Sequence, residues 1–254
     1  MSSGRVLGVD ACRAGWIGIA LSGGQARAYF APGIRELADR AAADGPVLVI
    51  AIDIPIGLAD GGRRRADQLA REALGRRWPS LFITPVRTAV EAADYPAATA
   101  ENRRLAGEGL SRQAFALRAK ILDVDRWLQS GSPAAARVAE ARPELSFAAQ
   151  MGSPAPAQVV EVHPELSFAA MAGAPLRSRK TSWAGAAQRR ALLAEAGIVL
   201  DGDLDVAGEQ AGVDDVLDAA AAAWTARRVS QSSARCLPPS PEVFSDGIPA
   251  AIWT

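Results

Sequence analysis

Apolar and polar positions divide the chain into short unbroken apolar runs and longer stretches with helical spacing. Residues 5–9 (RVLGV) form an apolar run that stops at Asp10, and WIGIAL, entered after a turn around Arg13–Gly15, reads as a second strand. Ser22-Gly23-Gly24 makes a hairpin turn into ARAYF, a third strand. Ile34, Leu37, Ala38 and Ala41 recur at helical spacing. VLVIAI (47–52) is a continuous apolar run of strand length, as expected for a strand covered on both faces. It stops at Asp53, where Ile54-Pro55-Ile56-Gly57 turns the backbone out of a sheet. Two predicted strands thus each end on an aspartate.

Residues 63–129 read as mostly helical, with a charged amphipathic stretch over Arg63–Arg77 and apolar positions three and four apart over Ser111–Leu128. Gly131 to Pro156 is rich in Ala, Pro and Gly, which suits a surface excursion. QVVEV (158–162) is a further short strand, followed by His163-Pro164, where proline fits the first turn of a helix. Helices are predicted over Gln188–Ala196 and Val213–Arg228, and PAAIWT suits an edge strand. The order hairpin–strand–helix–strand–helices–strand–helix predicts an α/β protein. Its mixed sheet combines an antiparallel hairpin with parallel strands and is flanked by helices. One domain is expected over 1–254, with a mostly helical insertion over 61–157.

That insertion contains a repeat. EARPELSFAAQMGSP (140–154) matches EVHPELSFAAMAGAP (161–175) at a constant offset of 21. A solenoid needs at least three units, so this is a local tandem duplication. Only the second copy follows a β-run, which marks the first as the addition. Loss of 140–160 is expected to leave a folded protein.

Composition narrows the classes. The chain has 254 residues, 49% of them hydrophobic, and its 28 basic residues balance 28 acidic ones. Zero net charge argues against a protein that coats nucleic acid indiscriminately, while leaving room for a local basic groove. No apolar run approaches the ~20 residues that span a bilayer, and MSSGRVLGVD has no basic-then-apolar signal pattern. The two cysteines, Cys12 and Cys236, have neither metal-ligand nor redox spacing, so a reduced, cytoplasmic protein is expected. Cys12 lies near Asp10, but a structural role suits it better than nucleophilic chemistry. The abundance of Ala and Arg reads as genomic base-composition bias.

The acids carry the chemistry. If the first strand and VLVIAI are parallel neighbours, Asp10 and Asp53 leave the sheet at the same end, where open α/β sheets place ligands. Two carboxylates there repel one another unless a divalent cation lies between them. Mg²⁺ favours a few carboxylates together with water and phosphate oxygens. In the last helix, Asp215 and Asp218 lie one turn apart, as do Asp214 and Asp218. Asp214 suits helix capping, whereas Asp218 is too far into the helix to cap it and needs a partner.

GVDACRAGW (8–16), IDIPIGL (52–58), PVRTAV (85–90), SRQAF with Lys120, EVHPELSF with Arg179-Lys180-Thr181, and DDVLDA together resemble one group of microbial proteins. It is a domain-of-unknown-function family regarded as predicted RNase H-like nucleases. The resemblance runs from Val6 to about Trp224. The Asp-x-x-Asp-Ala ending is also similar to the last acidic motif of Holliday-junction resolvases. The resemblance implies an RNase H-like fold, with Asp10 as first-strand acid, Asp53 as fourth-strand acid, and Asp215 and Asp218 as acids of the C-terminal helix.

The expected function is a nuclease or phosphodiesterase with Mg²⁺ or Mn²⁺ held by Asp10, Asp53 and Asp218. Asp215 or Glu161 would complete the set. His163, the one histidine in the chain, is placed to act as general base or to hold phosphate, or merely to satisfy a local backbone bond. Arg87, Lys120 and Lys180 are candidate phosphate ligands. The Arg63–Arg65 run with Arg71, Arg76 and Arg77 is either a nucleic-acid track or a solvated helix face. Two alternatives stand beside this: a nucleotide-dependent phosphotransferase of the actin-like and sugar-kinase topology, and a non-catalytic binding protein that keeps the fold.

Overall fold

A computed structural model describes residues 4–75, 83–130 and 157–254. β1 (Arg5–Cys12), β2 (Gly15–Ser22) and β3 (Gln25–Ala31) form an antiparallel meander. α1 (Ile34–Ala43) crosses to β4 (Val47–Ile52), which runs parallel to β1. Helices α2 (Arg65–Leu74), α3 (Arg87–Glu91), α4 (Tyr95–Ala106), α5 (Arg112–Ala116) and α6 (Arg118–Gln129) precede β5 (Gln158–Val162), itself parallel to β4. α7 (Pro164–Ala172), α8 (Trp183–Glu195), α9 (Asp205–Gln210) and α10 (Val213–Ser230) follow. β6 (Cys236–Val243) and β7 (Pro249–Trp253) close the chain as an antiparallel pair, with β7 parallel to β5. Among the described residues one sheet has the order β3-β2-β1-β4-β5-β7-β6. It is the expected mixed sheet, antiparallel at the hairpin and parallel at its centre, with helices on its faces.

Alternation along the central strands builds two cores. Val6, Ile17, Ile19, Val49, Ala51, Val160 and Val162 pack on the face covered by α10. Leu7, Val9, Ile50, Ile52 and Val159 point to the other face, against Ile34 and Leu37 of α1 and Ile121, Val124 and Leu128 of α6. Residues two apart share a face, so Asp10 falls on the face of Gly8, and Asp53 on that of Ala51. Both lie under α10.

α10 approaches β1 unusually closely. A Cβ at Gly8 would stand 1.9 Å from the Ala223 amide nitrogen and 2.2 Å from the Ala219 carbonyl oxygen. Ala219–Ala223 are all fully buried. Small side chains on the helix and none on the strand let the two backbones nearly touch. The alanine run, read from composition as base bias, is therefore also a packing surface.

Three expectations need correction. PAAIWT is an inner strand, because β6 lies outside it. β6 holds Pro238, Pro239 and Pro241, which hide it from a pattern search but are tolerated at a sheet edge. The helix expected over Ser111–Leu128 is two helices that meet at Leu117. The first repeat copy, residues 140–154, lies outside the described residues, but Gln158, Val159 and Val160, counted in the 140–160 unit, belong to β5. No helix among the described residues is long and apolar enough to cross a membrane.

Candidate metal centre

The register of β1 and β4 sets Val9 beside Ile52, and the Asp53 N–H donates to the Val9 carbonyl at 2.9 Å. Asp10 and Asp53 therefore leave neighbouring strands side by side. α10, seated on Gly8, brings Asp218 down onto them from above. Each of the three carboxylates presents an oxygen, and these oxygens all lie within 4.8 Å of one another. Asp10 and Asp218 are buried and Asp53 is half-buried.

Their hydrogen bonds leave specific oxygens open. Asp10 Oδ1 accepts the Ala11 N–H at 2.7 Å. Asp218 Oδ2 accepts from Lys180 Nζ at 2.6 Å, and the same ammonium stands 3.7 Å from Asp214 Oδ2. Asp218 Oδ1 is buried and has no hydrogen-bond partner among the described residues. An acceptor buried without a donor is costly, and so many carboxylates in one place raise that cost. Desolvation pushes Asp10 well above the ordinary carboxylate range, and the charges of Asp53 and Asp218 push it further. Asp53 rises for the same reasons, burial first and Asp218 next. Burial lifts Asp218 to about 6, against the pull of Lys180. Burial lowers Lys180, but Asp218, Asp10 and Asp53 outweigh it and hold the ammonium above its usual value.

The donor set fits a hard divalent cation. All three ligands are carboxylate oxygens, one of them buried without a donor. Neighbouring ligands on octahedral Mg²⁺ lie about 3.0 Å apart and opposite ones about 4.2 Å, given bonds of about 2.1 Å, so oxygens within 4.8 Å of one another would draw together around one ion. The acids line a cavity of about 430 Å³ that also exposes His163, Arg179, Lys180 and Asp215.

The other predicted site residues differ in what engages them. Glu161, expected to complete the set, also lines this cavity, although the alternation with Val160 and Val162 turns its side chain away from α10. There its two oxygens accept from Arg64 at 2.7 and 2.8 Å, and one also takes the Ile56 N–H at 2.7 Å. Asp215 does some of the capping expected of Asp214, accepting the Gly212 N–H at 3.1 Å. Of the three phosphate candidates only Lys180 reaches the acids. Arg87 is held by both oxygens of Asp125, at 3.0 Å, and by Asp246 at 2.7 Å. Lys120 donates to the Gly15 carbonyl and lies over the Trp16 ring.

Within the arginine run, Arg63–Arg65 are engaged by other residues of the protein. Arg63 pairs with Glu108, Arg64 is buried, and Arg65 contacts Gln68 and Glu72; Arg76 and Arg77 lie outside the described residues.

Two supports escaped notice in the sequence. Arg64 donates to Asp67, whose other oxygen takes the Thr84 N–H, so the turn after Asp53, α2 and β5 are tied together. Arg189 on α8 pairs with Glu165 and donates to the Ser178 carbonyl, bracing the segment that delivers Lys180. In sequence, both arginines look like the other arginines of an arginine-rich chain.

A family model described as "Protein of unknown function (DUF429)" matches residues 8–158 and 150–243. The chain belongs to this family. No curated protein and no solved structure matches it. The stretches matched in this DUF429 chain include all three clustered aspartates and Lys180, and they overlap at 150–158, within the region of the repeat.

Proposed function

We propose that this DUF429 protein is a metal-dependent phosphodiesterase of the RNase H-like kind, acting on nucleic acid in the cytosol. One observation carries the reading. Three aspartates from two parallel strands and a crossing helix converge within 4.8 Å, and one of them buries an oxygen that nothing in the described protein satisfies.

Asp10, Asp53 and Asp218 would hold Mg²⁺ or Mn²⁺. When bound, such a cation neutralises charge on a phosphate and lowers the pKa of a water. Around it, Lys180 and Arg179 offer positive charge to the phosphate oxygens. His163, on the cavity wall, would accept or return a proton. The strand turn at Ile54-Pro55 and the buried Arg64 pair keep Asp53 aimed at the cavity.

The test is cleavage of single-stranded, duplex, hybrid and branched substrates by purified protein with Mg²⁺ or Mn²⁺, alongside Asp10→Asn. Metal-dependent cleavage by the wild type and its loss in Asp10→Asn are expected. Failure on every substrate, with Asp10→Asn binding Mn²⁺ as well as wild type, would sink the reading.

A further inference from the structure

Lys180 does more at this centre than wait for a phosphate. Its Nζ is already committed, 2.6 Å from Asp218 Oδ2 and 3.7 Å from Asp214 Oδ2. This side chain is 40% exposed, so it reaches inward from the rim to a carboxylate that is only 4% exposed. Its segment is fixed from behind by the buried Arg189, which holds Glu165 and the Ser178 carbonyl. The lysine is thus built into the acidic centre rather than loosely laid over it.

The consequence is a count of oxygens and charges. Two divalent ions sharing a site need carboxylates that serve both. Here Asp10 gives one oxygen to the Ala11 N–H, and Asp218 gives one to Lys180. The ammonium keeps a second cation from Asp218 Oδ2 and leaves the unpartnered Oδ1 for one ion, beside the oxygens of Asp10 and Asp53. The three clustered aspartates, when ionised, carry three negative charges, which one divalent ion and one ammonium balance; of the other acids on the cavity wall, Glu165 is paired with Arg189 and Asp215 accepts the Gly212 N–H. Glu161 lines the same cavity, but both of its oxygens are taken by the buried Arg64.

We infer that Lys180 is a resident cation of the centre, standing where a second metal ion would otherwise bind, so that each chain takes up a single divalent ion. This rests on the metal-centre reading above. Lys180 is accordingly a positioning residue: it fixes which Asp218 oxygen remains for the ion and limits how strongly the acids attract it. Removing the ammonium should tighten divalent-ion binding, because two positive charges a few ångströms apart repel strongly in a partly buried site.

The experiment is titration of metal-free protein with Mn²⁺, read by calorimetry and by the electron paramagnetic resonance signal of free Mn²⁺. It compares wild type, Lys180→Met and Lys180→Arg, each confirmed as folded by circular dichroism. Wild type should bind one Mn²⁺ per chain. Lys180→Met should bind roughly tenfold more tightly or better, or acquire a second ion, while Lys180→Arg should keep the wild-type stoichiometry. Two ions on the wild type, or unchanged or weaker binding by Lys180→Met, overturns the inference while leaving a metal centre in place. No Mn²⁺ on any of the three overturns the inference and the metal centre together.

Discussion

At the residue scale, the acids are held in a state that only a bound charge or bound protons relieve. Asp10, Asp53 and Asp218 all sit above their ordinary carboxylate range. A carboxyl whose folded pKa is raised favours folding when protonated. That contribution is complete below the unfolded value near 3.8 and is lost as pH rises through the folded value, about 6 for Asp218. The metal-free protein should therefore melt at progressively lower temperature as pH is raised from 5 to 8. A divalent ion needs the deprotonated carboxylates, so the stabilisation by Mg²⁺ or Mn²⁺ should grow over the same interval. A melting series at several pH values with and without Mn²⁺ checks both slopes; a metal-induced gain that shrinks toward pH 8 contradicts the assignment. Glu161 makes the contrasting case. Its partner Arg64 is 1% exposed, and breaking a buried pair costs about 3 kcal/mol or more. Glu161→Gln should lose stability of that order in urea titration, yet keep its melting-temperature gain with Mn²⁺. A stable variant without that gain would return Glu161 to the ligand set.

Among the elements, the contact of α10 with β1 sets the height of Asp218 above Asp10. Gly8→Ala puts a methyl group into helix backbone at Ala219 and Ala223, where no side-chain rotation relieves it. The helix must lift. The expected cost is about 1–3 kcal/mol for overpacking, with weakened Mn²⁺ binding as Asp218 moves away from the other two acids. Calorimetry on the folded variant reads the second effect apart from the first. The elements also show what was legible in advance. β1, β2, β3, β4 and β5 were marked by apolar runs and turn residues, and the aspartates by their place at the ends of two such runs. Asp218 stood out because it lies too deep in its helix to cap it. The partner of Glu161 was not legible, because a strand-end acid looks alike whichever face it occupies, and only the alternation of Val160 and Val162 against a known core decides that. β6 was hidden by its prolines. The Arg64 and Arg189 braces depend on contacts between residues 97 and 24 positions apart, which local pattern does not carry.

For the molecule as a whole, the described sheet and its flanking helices account for the site without the first copy of the repeat. β5 lies between β4 and β7 and begins at Gln158, so removal of 140–160 would cut three residues from a central strand. Residues 136–156 give a deletion of the same length that spares it. A chain lacking 136–156 should stay soluble, melt within about 4 °C of wild type, a shift of about 1–2 kcal/mol at this size, and bind Mn²⁺ with unchanged affinity. Aggregation or a lost transition would mean that the first copy of the repeat is integral to the fold.

The hydrogen bond from the Asp53 N–H to the Val9 carbonyl gives the centre its own gauge. It is the bond at which sheet ends and site begins. Its hydrogen-exchange rate separates two ways of loading a cation. If the Asp53 amide exchanges as slowly as those of Val49 and Ile50, the cage opens only when the whole sheet does, and an ion must enter through the cavity mouth. If it exchanges faster, and slows when Mn²⁺ is added, the strand end frays and re-zips around the ion. Uptake would then be timed by the backbone rather than by diffusion.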